Sequence, residues 1–166
     1  MTSAIRRFPD PILKRPTRAV ERVDGVAHRL IDLLIRTMRH HPRCVGLAAP
    51  QIGRDLRIAV MDSSAHPKAE ASLGLIVLVN PRITQAQGAI MQREGCLSIP
   101  DFTGTVRRAA RVRVSALDAD GQLREWVLDG FEAIIAQHEI DHLDGTLFLD
   151  RVASLASDVF RRKIYG

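Results

Sequence analysis

Two histidines four residues apart, in Gln137-His138-Glu139-Ile140-Asp141-His142, constrain this chain more than any other feature. On a helix that spacing places both imidazoles on one face, a turn apart, where they reach a single divalent ion. Glu139, beside the first imidazole, is placed to take a proton from a water molecule that the ion activates. The residues just before, Gly130 to Ala136, are good helix formers without proline, and Gly145 supplies a C-terminal stop. The competing reading is a solvated face of charges and histidines, and the third ligand decides between the two.

Neither His nor Glu follows His142, and the tail offers only Asp144, Asp150 and Asp158 as donors. Asp144 is too near His142 to close a site easily. The third ligand is therefore expected upstream, and Glu94-Gly95-Cys96-Leu97-Ser98 offers the thiol of Cys96. A thiolate is a strong ligand for Zn²⁺ and Fe²⁺, and a Cys/His/His set leaves a fourth position open for water. An open position means catalysis rather than a structural clip.

The rest of the chain must build a scaffold for that helix. Its 166 residues, 46% of them hydrophobic, suit one globular domain over 1–166. Aromatics make up only 4%, so aliphatic side chains must fill the core. A helix is expected from about Val26 to His41, where Val26, Leu30, Ile31, Leu34, Ile35 and Met38 form an apolar stripe between Asp24-Gly25 and Pro42. His28, His40, His41 and His66 read as surface residues. Cys44 to Gly53 is too rich in small residues for an ordinary strand and lacks the Gly-Lys-Ser/Thr ending of a phosphate loop; small side chains there admit a substrate or another backbone. Gln51 within it carries an amide that can donate to an oxyanion.

Leu56–Met61, Leu75–Val79, Ile83–Arg93, Val112–Leu117 and Leu123–Leu128 read as strands, the last two joined by a turn at Gly121. Ser63 to Ser72 reads as a mobile polar loop, and Ala153 to Lys163 as a last short helix. The expected class is α+β: a single compact domain of antiparallel or mixed β-sheets around a central metal-binding helix. The net charge of +5 suggests weak attraction to anionic surfaces and no specific DNA partner. No stretch approaches a membrane span, and the first residues lack the apolar core of a signal peptide. With only Cys44 and Cys96 as thiols, a reducing, cytoplasmic setting is expected.

Taken in register, Val45-Gly46-Leu47-Ala48-Ala49-Pro50-Gln51, Glu94-Gly95-Cys96-Leu97-Ser98 and Gln137-His138-Glu139-Ile140-Asp141-His142-Leu143-Asp144-Gly145 resemble the peptide deformylases. Pro9-Asp10-Pro11 and Leu147-Phe148-Leu149-Asp150-Arg151 are similar to that family as well. The resemblance implies hydrolysis of the N-formyl group from nascent formyl-methionyl peptides, with release of formate. It implies Cys96, His138 and His142 as metal ligands, Glu139 as general base and acid, and Gln51 with the Leu97 N–H as oxyanion donors. It implies that Gly46 hydrogen-bonds the substrate backbone, and that Val45, Phe131, Ile134 and Ile135 line a methionine pocket with Glu94 nearby. The implied cofactor is one divalent ion, Fe²⁺ in the cell, with Zn²⁺, Ni²⁺ or Co²⁺ as substitutes. The sequence departs from the family at Cys44, where glycine is usual, and at Thr103, where an arginine often contacts substrate. It ends without the long basic helix that some bacterial members dock on the ribosome, so any ribosome contact is expected to be transient.

Overall fold

The computed structural model describes residues 1–163. Helix α1 (Gly25–His40) begins at Asp24, whose carboxylate accepts from the N–H groups of Val26 at 2.9 Å and Ala27 at 3.1 Å. Those donors have no partner within the helix, so the cap satisfies them. Leu30, Ile31, Leu34 and Met38 form the buried face as expected; Val26, in the first turn, faces solvent instead.

The remaining elements in chain order are β1 (Gly46–Ala48), β2 (Ile58–Met61), β3 (Ile76–Gln87), β4 (Ile90–Cys96), β5 (Ile99–Arg108), β6 (Arg111–Leu117), β7 (Leu123–Asp129), α2 (Gly130–Leu143) and β8 (Val159–Arg161). One antiparallel sheet has the order β1-β2-β3-β6-β7 and a second the order β4-β5-β8. Strand β2 is buried on both faces, and strand alternation divides its side chains between the helices. Ile58 and Val60 pack with Leu30, Ile31 and Leu34 of α1. Met61 packs with Ala133, Ile135 and Ile140 of α2, and Ala59 meets Leu143.

Helix α2 is therefore interior. Ala133, Ile134, Ile135, Ala136, Ile140 and Leu143 are all buried, and so are Glu132, Glu139, Asp141 and His142. A helix apolar on nearly every side belongs inside a protein. Polar groups carried in with it must find partners there or bear a large desolvation cost.

Several expectations give way. The expected helix over Ala153–Lys163 is a set of turns followed by β8. Asp158 accepts from the Ser154 N–H and donates its own N–H to the Ser154 carbonyl, a single closed turn that is not continued as a helix. Val159 and Phe160 then pair with β5. The expected strand Ile83–Arg93 is broken at Gly88 (φ +69) into parts of different sheets. Strand β3 runs through Pro81, which sits where the β3–β6 register shifts between Val79 and Arg82, so the missing N–H does not interrupt the ladder. The small-residue segment holds a short strand, β1, before a 3-10 turn over Ala49–Ile52. The Ser63–Ser72 loop is anchored by Glu132, whose Oε1 accepts from Ser63 Oγ at 2.8 Å, Ser72 Oγ at 3.2 Å and Leu73 N at 3.0 Å.

Candidate metal centre

Cys96 ends β4, where the β4–β5 pairing jumps from Gly95↔Thr103 to Cys96↔Ile99 around the turn at Leu97–Ser98. That irregularity turns the thiol inward onto α2. The donor atoms of Cys96, His138 and His142 all lie within 4.8 Å of one another, and Cys96 Sγ is 3.3 Å from His142 Nε2. The imidazoles stand edge to face with centroids 4.9 Å apart, as the four-residue spacing implies.

A carboxylate–arginine network holds this set in place. His138 Nδ1 lies 2.8 Å from Glu94 Oε2, which leaves Nε2 to face the sulfur side. Arg108 donates to both Glu94 oxygens, at 2.7 and 2.9 Å, and to Asp141 at 2.6 Å. Arg151 closes the network with bonds to Asp141 at 3.0 and 2.7 Å. Of the neighbouring Arg107, Arg108 and Arg111, it is Arg108 that reaches Asp141. Burial alone would raise the Glu94 pKa, but the hydrogen bonds from Arg108 and His138 outweigh it and bring the value down to about 2. Burial likewise favours a neutral Cys96 thiol, yet the adjoining imidazoles pull its pKa well below the usual value. For Glu139 burial wins: it pushes the carboxyl up to about 7 against the pull of both histidines.

The residues present fit a bound ion. The donors are a sulfur disposed to ionise, an imidazole oriented by Glu94 and a second imidazole whose Nε2 faces the sulfur, the set that suits Zn²⁺ or Fe²⁺. Beside them the buried Glu139 Oε2 has no protein partner among the described residues, an oxygen that a water molecule in the site would satisfy.

A cleft of about 450 Å³ opens on the donors, lined among others by Gly46, Gln51, Leu97, Phe131 and Glu139. Gln51 Nε2 donates to Cys96 Sγ and Ser98 Oγ, each at 3.3 Å, while its Oε1 accepts from Ala48 N at 3.0 Å. The Leu97 N–H has no acceptor among the described residues. Val45, Phe131, Ile134 and Ile135 form an apolar wall of the same cleft, and Glu94 lies on its floor, bound to Arg108. All the residues singled out in the sequence are thus brought together.

His66 is not the surface residue expected: it is half-buried in the cleft wall, its ring 4.7 Å from that of Phe131. Nothing in a polar loop signals such a contact. The Glu94–Arg108 pair is not legible in the sequence, because Arg108 occupies an inward position of β5, a strand with no expected counterpart. Cys44 is a half-buried free thiol donating to the Gly46 carbonyl at 3.1 Å, and burial pushes its pKa up to about 12, so it packs as a small apolar group. Thr103 lines the cleft.

This fold and donor set define a metal-dependent hydrolase, with a helical histidine pair and one further side chain around an ion and a carboxylate alongside. A family model described as polypeptide deformylase matches residues 2–158. The chain belongs to that family, the enzymes that remove the N-formyl group from nascent polypeptides. It is 42% identical over 159 residues to the peptide deformylase of Thermodesulfovibrio yellowstonii, covering 96% of this chain and 94% of that protein. The peptide deformylase of Legionella pneumophila superposes with a TM-score of 0.85 at 41% identity, over 93% of this chain and 88% of that one. The Acinetobacter baumannii enzyme with Met-Ala-Ser bound superposes with a TM-score of 0.84 at 34% identity, over 92% and 99% of the respective chains.

Proposed function

We propose that residues 1–166 act as one catalytic unit in which Cys96, His138 and His142 hold a divalent ion, Fe²⁺ in the cell and Zn²⁺, Ni²⁺ or Co²⁺ as substitutes. When bound, such an ion polarises a carbonyl and makes water acidic enough to attack near neutral pH. Glu139 takes a proton from the attacking water at its unpartnered Oε2. The water oxygen bonds to the formyl carbon, and the oxyanion that develops is met by the amide of Gln51 and the N–H of Leu97. Glu139 returns the proton to the departing nitrogen, the C–N bond breaks, and formate and a free amino terminus remain. The substrate is a formyl-methionyl peptide: its backbone pairs with Gly46 of the edge strand β1, and its thioether enters the wall of Val45, Phe131, Ile134 and Ile135. Glu94 acts through His138 and Arg108 rather than on the methionine. The setting we propose is the cytoplasm, with transient contact to the ribosome; among the described residues no helix is long and apolar enough to cross a membrane.

The observation that carries this reading is the convergence of Cys96, His138 and His142 beside a buried carboxylate oxygen with no protein partner among the described residues, on the floor of an open cleft. Anaerobically purified protein should contain about one iron per chain and release formate from formyl-Met-Ala-Ser without cutting its internal bonds. Chelation should abolish the activity and Fe²⁺ restore it. Cleavage of internal bonds, or full turnover after complete metal removal, would overturn it.

A further inference from the structure

Arg162, directly after strand β8, brings a positive charge to the cleft. The strand lies along β5 with Phe160 opposite Thr103, and Thr103 lies opposite Gly95 of β4. Strand alternation puts Phe160 and Arg162 on one face, with Arg93, Gly95 and Thr103. Contacts agree: Arg93 Cζ sits 3.8 Å over the Phe160 ring, and a Cβ added to Gly95 would lie 3.3 Å from Arg162 Cζ and nearer still to its Nη2. Only glycine at 95 gives the guanidinium this seat, and Gly95 directly precedes Cys96. The seat is therefore one residue from the donor sulfur, on the cleft wall.

Arg43, Lys68 and Arg93 line the same cleft, and among the described residues neither these nor Arg162 stand in an ion pair. The carboxylates of the cleft, Glu94 and Glu139, are buried at its floor. Asp101 accepts the Arg162 N–H through its backbone carbonyl at 2.8 Å. Among the described residues the rim is thus cationic and uncompensated, and it belongs to the same cleft as the apolar wall of Val45, Phe131, Ile134 and Ile135.

We infer that Arg162 is a specificity-determining residue that favours formyl-methionyl peptides with acidic side chains downstream of the methionine, an inference that rests on the deformylase reading of the same site. The contact is solvent-exposed, so the preference it confers is modest, about threefold to fivefold, and shrinks as salt screens it.

The test compares kcat/KM for formyl-Met-Ala-Glu-amide and formyl-Met-Ala-Lys-amide at low salt; amidation removes the terminal carboxylate. The wild-type enzyme should prefer the glutamate peptide by about fivefold, and the preference should fade at roughly 0.5 M salt. Arg162→Ala should roughly halve the ratio or lower it further, Arg162→Lys should retain more of it, and Arg162→Glu should bring it to unity or below. Because each ratio is taken within one protein sample, a reduced folded fraction cancels. A wild-type enzyme without preference, an unchanged ratio in Arg162→Ala, or a glutamate preference surviving in Arg162→Glu would each overturn the inference. Formate from neither peptide would instead overturn the underlying activity reading, and the inference with it.

Discussion

Replacing Gly46 by alanine moves the Glu139 carboxylate without touching Glu139 or a metal donor. A Cβ on Gly46 would stand 2.8 Å from both Cγ and Cδ of Glu139 and closer still to Oε1. Gly46 is not among the positive-φ glycines, so its backbone accepts alanine. Strand β1 is paired to β2 through Gly46↔Met61, Leu47↔Val60 and Ala48↔Ala59, so the side chain yields before the strand does. Ordinary contact begins near 3.4 Å, which requires the carboxylate to retreat by roughly 0.6 Å, and more at Oε1. Misplacing a catalytic group by about 1 Å costs on the order of 100-fold in rate, or about 2.7 kcal/mol on the barrier. Overpacking of about 1–3 kcal/mol also lowers stability. The assay is kcat for formate release at saturating formyl-Met-Ala-Ser, with metal content and Tm measured on the same protein. The expected result is a fall in kcat of about 100-fold at unchanged metal content. A kcat within a few-fold of wild type would refute the reasoning. So would a higher KM at full kcat, because the methyl would then obstruct the peptide and leave the carboxylate where it was.

Arg108→Met leaves Glu94 and Asp141 buried without their shared cation, which should cost about 3–5 kcal/mol; at about 2–4 °C per kcal/mol the loss reads as a Tm lower by roughly 10 °C. The same variant should weaken metal binding by about 10-fold to 100-fold through His138, measured by competition with a chelator. Glu132→Ala removes the acceptor that ties Ser63, Ser72 and Leu73 to α2, so limited proteolysis should cut within 63–74 faster and KM should rise more than kcat falls. Asp150 accepts from Lys14 Nζ at 2.5 Å and Leu147 N at 2.8 Å. Burial works against ionisation there, but those bonds outweigh it and hold the carboxyl below its usual value of 3.8. A depressed carboxylate stabilises the fold above its unfolded value and loses that contribution as pH falls through the folded one. Asp150→Asn should therefore lower the urea midpoint near pH 6 and leave it unchanged at the acid end, by less than about 1 kcal/mol because the pair is exposed.

What was legible in the sequence is what local periodicity and donor chemistry encode. Four residues on a helix become one turn in space, so His138 and His142 could be paired from spacing alone, and the stripe in α1 is legible for the same reason. The lack of a His or Glu after His142 points upstream to Cys96, although its geometry depends on a register jump at Gly95 that no composition reveals. The same limit explains what was missed. Arg108 meets Glu94 and Asp141, residues 14 and 33 positions away, because two strands and a helix converge. His66 reaches Phe131 because Glu132 draws in its loop. The segment 153–163 carries apolar residues at spacings that fit a helix or a strand, and only the open edge of β5 decides between them. That choice has a chemical consequence, since a helix there would not have laid Arg162 over Gly95. The catalytic donors are encoded locally, whereas the charge lining the path to them depends on which edge the end of the chain finds.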